Sequence, residues 1–327
     1  MIVYRNQSTD PYFNLAAEQY LLDTKSDSIF MLWRNDASVI IGKNQNAYAE
    51  LDLGYVDENK IKVVRRLTGG GAVFHDKGNV NFSFIVPAEE NATLDFGRFT
   101  APVINAIKSL GVEDVCLSGR NDILICGEKI SGNAQSFYNN KTLHHGTLLY
   151  SSDLTMLTGA LRVDPEKIRS KGIKSVRNRV GNISSYLKNT MSAEEFMTYL
   201  EGYIAAENNA EIVELSQEDI KEIKKLADEK YSTWEWNFGR SKEYVTEKKK
   251  RYSFGGVAVL LTVEEGVISQ IKVQGDFFGT KDVGELEGLL LGKRFEPMGL
   301  RACLEGKNMG EYIHGMDTEG FIELLMS

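Results

Sequence analysis

Apolar residues recur along this chain at helical spacing in some stretches and at alternate positions in others. Leu15, Ala16, Tyr20, Leu21 and Leu22 form a helical apolar face, with Asn14 in place to cap it. Ile29–Trp33 and Ser38–Ile41 read as strands, the second ended by Gly42. Asn44–Asp52 reads as a loop or short helix. Lys62–Arg65 is a short strand leading into Thr68-Gly69-Gly70-Gly71. Ala72–His75 and Asn81–Val86 read as the arms of a hairpin whose turn is His75 to Asn79. A helix is expected over Phe96–Leu110, closed by Gly111. Asp122–Cys126 and Lys129–Ser131 read as strands around a tight Gly127-Glu128 turn, and Thr142–Tyr150 as another strand. Ala193–Ala206 and Gln217–Lys230 are amphipathic helices.

The rhythm then changes. Phe238–Lys250 is polar, ends in three lysines, and reads as a linker with a solvated charge run. Arg251–Val263 and Val267–Gln274 make a hairpin, followed by two helical stretches. The domain boundary falls near Lys242–Lys250, giving units 1–245 and 246–327. Helices and strands interleave without regular βαβ alternation, so the fold class is α+β.

A length of 327 residues suits two cores better than one. Hydrophobic residues make up 42% and charged residues 26%, an ordinary globular balance. The net charge of −8 argues against a nucleic-acid binder. Met1–Asp10 lacks the build of a signal peptide, and apolar stretches such as Val257–Val263 are too short to span a bilayer. Cys116, Cys126 and Cys303 form no CxxC pair, and three buried free thiols in a reducing cytoplasm are expected.

The chemistry concentrates in Arg65-Arg66-Leu67-Thr68-Gly69-Gly70-Gly71-Ala72-Val73-Phe74-His75-Asp76. Consecutive glycines are entropically costly and are kept where backbone must approach something closely. Their N–H groups suit an anion. Arg65 and Arg66 face opposite sides of a strand, so one of them reaches a phosphate held there. No GK[ST] follows the glycines, and Phe74 takes the place of the last glycine of GxGxxG. A glycine-rich hairpin bend is equally open on spacing alone.

Lys129 precedes the small residues Ser131, Gly132 and Ala134, which leave room for a ligand carboxylate or phosphate beside its ammonium. A surface hairpin lysine is the commoner placement for a lone lysine. Cys126, on an apolar strand, reads as a buried structural thiol and not a nucleophile. His144 and His145 are adjacent, point to opposite faces and do not chelate one metal.

These residues resemble a known family. Arg65 to Asp76, then Gly78-Asn79 and Asn81-Phe82-Ser83-Phe84, are similar to the RRxSGGGAVFHDxGNxxFxF signature of the lipoate–protein ligase A family. Further blocks agree in order: Gly119-Arg120-Asn121-Asp122, Lys129-Ile130-Ser131-Gly132 with Ala134, and His144-His145-Gly146-Thr147-Leu148-Leu149. Lys171 to Val180 and Ser232 to Gly239 complete the set.

The resemblance implies a mixed-sheet catalytic domain of the biotin/lipoate ligase type and a small α+β accessory domain. It implies ATP with Mg²⁺, lipoate or octanoate, and acceptors among the apo lipoyl domains of 2-oxoacid dehydrogenase E2 subunits and the glycine-cleavage H protein. By position, Arg66, Gly71, Ala72, Val73, Phe74 and Lys129 contact ATP, and Lys129, Gly70 and His145 contact lipoate. The resemblance implies that Lys129 is the catalytic residue. Asn79, Asn81 and Asp122 are further candidates for adenine or Mg²⁺ contacts, and no protein-only metal site is expected. Neither nucleic acid nor membrane is an expected partner, and the expected location is cytoplasmic.

Octanoyl- or lipoyltransferases of the same fold, which need no ATP, are the nearest rivals. They use a cysteine, which in the octanoyltransferases lies three residues before the His-Gly pair, where this chain has Thr142. Biotin ligases carry GRGRxG in place of TGGGAVFHD. A non-catalytic binder of medium-chain acids or nucleotides is the remaining alternative.

Overall fold

A computed structural model describes residues 1–89, 93–161, 180–238, 246–264 and 266–327. The expected α+β class is what the chain adopts. Among the described residues eleven strands precede residue 239: β1 (Ile2–Arg5), β2 (Ile29–Arg34), β3 (Ser38–Ile41), β4 (Lys62–Arg65), β5 (Val73–His75), β6 (Asn79–Pro87), β7 (Val115–Ser118), β8 (Asp122–Ile125), β9 (Glu128–Tyr138), β10 (Lys141–Leu149) and β11 (Glu211–Glu214). Eight of them form one mixed sheet in the order β11-β1-β2-β6-β10-β9-β8-β7. A second sheet has the order β4-β3-β5.

The large sheet is covered on both faces, and its strands read accordingly. The Ile-Phe-Met-Leu-Trp run of β2 is buried throughout. Phe30 and Leu32 join Phe82 and Phe84 of β6 against the helices Phe96–Ser109 and Ala193–Glu207. Ile29, Met31 and Trp33 face the helices Pro11–Thr24 and Gln217–Leu226. None of the described helices is long and apolar enough to cross a membrane.

Several local expectations are corrected. The first helix starts at Pro11, capped by Asp10. Asn14 is fully buried and spends its amide on Ser8, Arg34 and Asn35. Ala72–His75 and Asn81–Val86 are not a hairpin: β5 pairs with β3, while β6 pairs with β2 and β10. With both edges of β6 taken, β5 has no place beside it. Asp76 carries the chain between the sheets, accepting the N–H groups of Gly78, Asn79 and Asp153. The tight turn comes one residue early, with both Cys126 and Gly127 at positive φ (50° and 83°). That lifts Cys126 to the surface, and Cys116 is exposed too; only Cys303 is half-buried. The helix expected to reach Lys230 runs to Leu226 and continues as a π-turn over Ala227–Tyr231.

Lys248 to Lys250 are not linker. They lie in β12 (Thr246–Tyr252), which pairs with β13 (Gly255–Glu264), itself paired with β14 (Val267–Gly275). As an edge strand, β12 carries its lysines where they discourage pairing with other chains. Residues 239–245 of the expected linker lie outside the described residues. Beyond β14 come the helices Val283–Leu290, Pro297–Leu304, Met309–Tyr312 and Thr318–Met326, where two were expected. Together they enclose a separate core around Val257, Val259, Leu286 and Phe321.

Buried histidines set an acid limit. His144 stacks on Phe82 and Phe99, and burial holds its pKa well below the ordinary value. His75, also buried, is pushed down to about 3, by burial first and then by Arg66 and His145. Both stay neutral when folded and bind protons more readily unfolded. Stability is therefore full above about pH 6.5 and falls as pH drops from there toward about 3. His144→Phe, placing a fourth phenyl beside Phe82, Phe96 and Phe99, makes that fall shallower in thermal melts taken across this range.

Candidate active site

Most of the candidate residues converge on one cleft. It lies between the large sheet and the glycine loop and encloses about 630 Å³, part of it open to solvent. Strand register fixes its floor. Trp33 pairs with Asn81, Asn81 with Thr147, and the Thr147 hydroxyl accepts the Gly132 amide at 3.1 Å. This row crosses β2, β6, β10 and β9, three strand spacings or about 14 Å. Met31, Ser83, His145 and Ala134 form the next row on the same face. Leu15, Ile40 and Val73 supply apolar wall.

At one end stands Lys129. Its side chain is about a third exposed, and its ammonium pairs with Asp122 at 2.7 Å. The ammonium also sits 3.3 Å from where a Cβ on Gly132 would be, so the glycine makes the room it occupies. A ligand anion here would share or take over the cation that Asp122 now neutralises.

The two arginines divide as their alternation requires. Arg65 donates to the carbonyls of Gly42, Lys43, Gln45, Trp236 and Asn237 and is committed to structure. Arg66 turns into the cleft, where its guanidinium gathers the loop: it donates to Gly69 and Gly71 carbonyls at 2.6 and 2.8 Å and to Ile40. Burial lowers its pKa to about 10, so it stays cationic at neutral pH.

Behind the loop runs a buried chain of hydrogen bonds. Arg66 Nε–H donates to Thr68 Oγ1 at 3.0 Å, and Thr68 meets His145 Nε2 at 2.7 Å. The hydroxyl has one proton to give, so Nε2 accepts it and His145 Nδ1–H faces Glu18 Oε1 at 2.8 Å. Ser83 donates to the same carboxylate oxygen and accepts Trp33 Nε1–H. Glu18 is fully buried. It was not among the sequence candidates, yet it stands three residues after Leu15 and four before Leu22, a carboxylate on the apolar face of its helix.

The cleft brings together Arg66, Gly70, Gly71, Ala72, Val73, Asn81, Lys129 and His145. Phe74 turns away into the small-sheet core, leaving its backbone toward the loop. Asn79 does not line the cleft; its amide donates to Asn81. Asp122 touches the site through Lys129. Lys171 to Arg179 lie outside the described residues. Among the described residues no cluster of three or more metal-ligating side chains occurs. Cys116 and Cys126 do not line the cleft. Local desolvation, then Asp114 and Glu128, push the exposed Cys126 thiol up, away from the thiolate a transferase nucleophile needs.

The roof comes from the C-terminal unit, which the sequence did not signal. Gly70 N–H donates to Phe277 O at 3.1 Å, and Gly275 N–H to Asn44 O at 2.8 Å. Phe278, 1% exposed, lays its ring against Gly70 and Phe96, with the Arg120 guanidinium 4.4 Å from its centroid. Lys43 and Asp282 add an exposed ion pair at 2.7 Å.

The loop is fitted from below as tightly. A Cβ on Gly42 would stand 2.0 Å from the Gly70 carbonyl oxygen, a backbone atom. Gly42→Ala therefore displaces the loop and lowers stability by about 1–3 kcal/mol, the range for overpacking. Its activity loss exceeds that of Gly71→Ala, whose Cβ meets nothing within 4 Å; parallel rate and denaturation measurements on the two variants check this.

Comparison with known proteins shows the family. Residues 10–205 match the lipoyl protein ligase A/B catalytic domain, and residues 241–325 match the bacterial lipoate protein ligase C-terminus. The lipoate-protein ligase LplJ of Bacillus subtilis is 44% identical across 99% of this chain and 100% of its own length. The structure of P. falciparum LipL1 in complex with lipoate superposes with a TM-score of 0.79 at 25% identity, covering 98% of this chain and 96% of that one. A lipoate-protein ligase A bound with ATP gives 0.61 at 27% identity, covering 73% and 98%. A bi-partite ligase from Thermoplasma acidophilum, studied with its E2 lipoyl domain, gives 0.63 at 31% identity, covering 75% and 98%. Two domain matches in order and relatives aligned end to end place this chain in the lipoate–protein ligase family, enzymes that form a carbon–nitrogen bond between a lipoyl group and protein.

Proposed function

We propose that this chain uses ATP to turn lipoate into lipoyl-AMP at the Lys129 end of the cleft and passes the lipoyl group to a lysine of an acceptor protein. The observation that carries this reading is the placement of Lys129, at one end of an apolar cleft whose side is the glycine loop gathered by Arg66. A carboxylate oxygen drawn to Lys129 attacks the α-phosphorus; an O–P bond forms and pyrophosphate leaves. Lys129 and Arg66 offset the charge that grows on the phosphoryl oxygens, and the fixed cleft supplies alignment. The acceptor amine then attacks the acyl carbon and expels AMP, and one proton leaves the nitrogen.

Gly71, Ala72, Val73 and Phe74 offer backbone to the nucleotide in this reading, and Gly70 and His145 border the acyl chain. Asn81 and Asp122 stand near enough to assist, while Asn79 acts through Asn81. Mg²⁺ would screen the triphosphate charge. Asp122, already paired with Lys129, is a carboxylate placed to share it, so phosphate oxygens would supply most of its ligands.

Residues 1–245 form the catalytic unit and 246–327 the accessory unit. Acceptors are E2 lipoyl domains and the glycine-cleavage H protein, and the site of action is the cytoplasm, which supplies ATP and suits three unpaired thiols. ATP–pyrophosphate exchange that requires lipoate, followed by AMP release on adding an apo lipoyl domain, is the expected result. Acyl transfer from a carrier protein without ATP, or well-folded protein without exchange, would overturn the reading.

A further inference from the structure

One donor in the cleft has no partner. His75 is 3% exposed, its ring lines the cleft, and it meets the Trp33 ring edge-on with centroids 5.9 Å apart. Which nitrogen holds its proton follows from the amides behind it. Asn6 Nδ2 donates to Asn14 Oδ1, and Asn14 Nδ2 donates to Asn35 Oδ1 and to the carbonyls of Ser8 and Arg34. The three acceptors around Asn14 Nδ2 bar a flip of that amide. Asn35 therefore turns its own Nδ2–H toward His75 Nδ1, at 3.0 Å. Nδ1 accepts, so the proton is on Nε2, which meets no hydrogen-bond partner. Burial keeps the ring neutral near physiological pH.

The position of this donor along the cleft sets its use. With a carboxylate at Lys129, the acyl chain runs over the Gly132, Thr147, Asn81 and Trp33 row, about 14 Å from strand to strand. An eight-carbon acid, seven bonds of about 1.5 Å or about 9 Å extended, covers most of that row and points its far end toward Trp33 and His75. The Trp33 N–H is taken by Ser83, and His75 holds a free donor there. An alkyl terminus would bury that N–H against carbon and leave it unpaired. A disulfide sulfur is a weak acceptor and packs well on an aromatic ring.

We propose that His75 is a specificity residue whose Nε2–H meets the sulfur end of the acyl chain, so that the cleft prefers a cyclic-disulfide acid to an alkyl acid of equal length. The inference rests on the reading of Lys129 as the carboxylate anchor.

Calorimetric titration of the full chain with lipoate and with octanoate, without ATP, tests it. The parent binds lipoate about ten-fold more tightly. His75→Phe brings the ratio close to one, chiefly through tighter octanoate binding. An unchanged ratio overturns the proposal; so does a loss of ATP affinity in a parallel ATP titration of His75→Phe with both acids equally affected, which would assign the donor to phosphate. Nitrogen-15 spectra of the unmutated protein give an arm independent of the variant's folding. The His75 Nε2 resonance shifts with lipoate and not with octanoate; equal shifts overturn the proposal. Failure of the parent to bind either acid would instead sink the anchor reading. Binding of both with a ratio insensitive to residue 75 removes the His75 inference alone.

Discussion

Lys129→Ala lowers the rate of lipoyl-AMP formation about 100- to 1,000-fold, the range for removing one preorganised transition-state donor. Its melting temperature stays within about 4 °C of the parent. The two halves have one origin. The ammonium is at the end of a cleft and not in a core, and its ion pair with Asp122 has both side chains about a third exposed. Such pairs contribute about 0–1 kcal/mol, so stability hardly notices the loss. The reaction loses the cation meant first for a carboxylate and then for the phosphoryl charge. Lys129→Arg does not restore the rate, because the space beside Gly132 admits an ammonium 3.3 Å from the missing Cβ and not a planar fork. Single-turnover detection of the adenylate, alongside a thermal melt, decides the matter. Adenylation at the parental rate would mean that the anion binds elsewhere.

Phe278→Ala separates the two units without unfolding either. Phe277 packs into the C-terminal core, whereas Phe278 packs outward against Phe96 and Ala134. Truncating a buried phenylalanine costs about 3–5 kcal/mol, and here the loss falls on the contact between units. Amide hydrogen exchange reads it directly. Gly70 and Gly275, whose N–H groups cross the boundary to Phe277 and Asn44, should exchange about 100- to 1,000-fold faster. Amides of the β13–β14 ladder keep their protection. Unchanged protection at Gly70 would show that the carbonyl contact holds without the ring.

The local rhythm of the chain was a good guide where an element's neighbours did not matter. Ser38–Ile41 and Lys62–Arg65 are strands at the expected residues, and the helix at Phe96 ends one residue before the expected Leu110. Pairing was harder to read, because a short apolar run carries no mark of the sheet it enters; hence the mistaken hairpin after the glycines. The lysines of β12 looked like linker because an edge strand has one solvated side. At the site, Arg66, Lys129 and His145 stood out through their motifs. Glu18 was legible in principle, as a charge on an apolar helical face. Phe278 was not, since it acts by tertiary contact across units and leaves no periodicity.

The hydrogen bond from Gly70 to Phe277 has a thermodynamic consequence. The glycine loop whose backbone the proposed reading offers to nucleotide is the loop that the C-terminal unit already holds through Gly70. In that reading nucleotide and unit compete for one loop, and the competition is reciprocal. Whatever factor the docked unit takes from nucleotide affinity, nucleotide takes from docking. Cutting the chain between the units, or loosening their contact, then raises apparent nucleotide affinity, and the strength of the contact sets how much nucleotide is needed before the cleft lies open to an acceptor lysine.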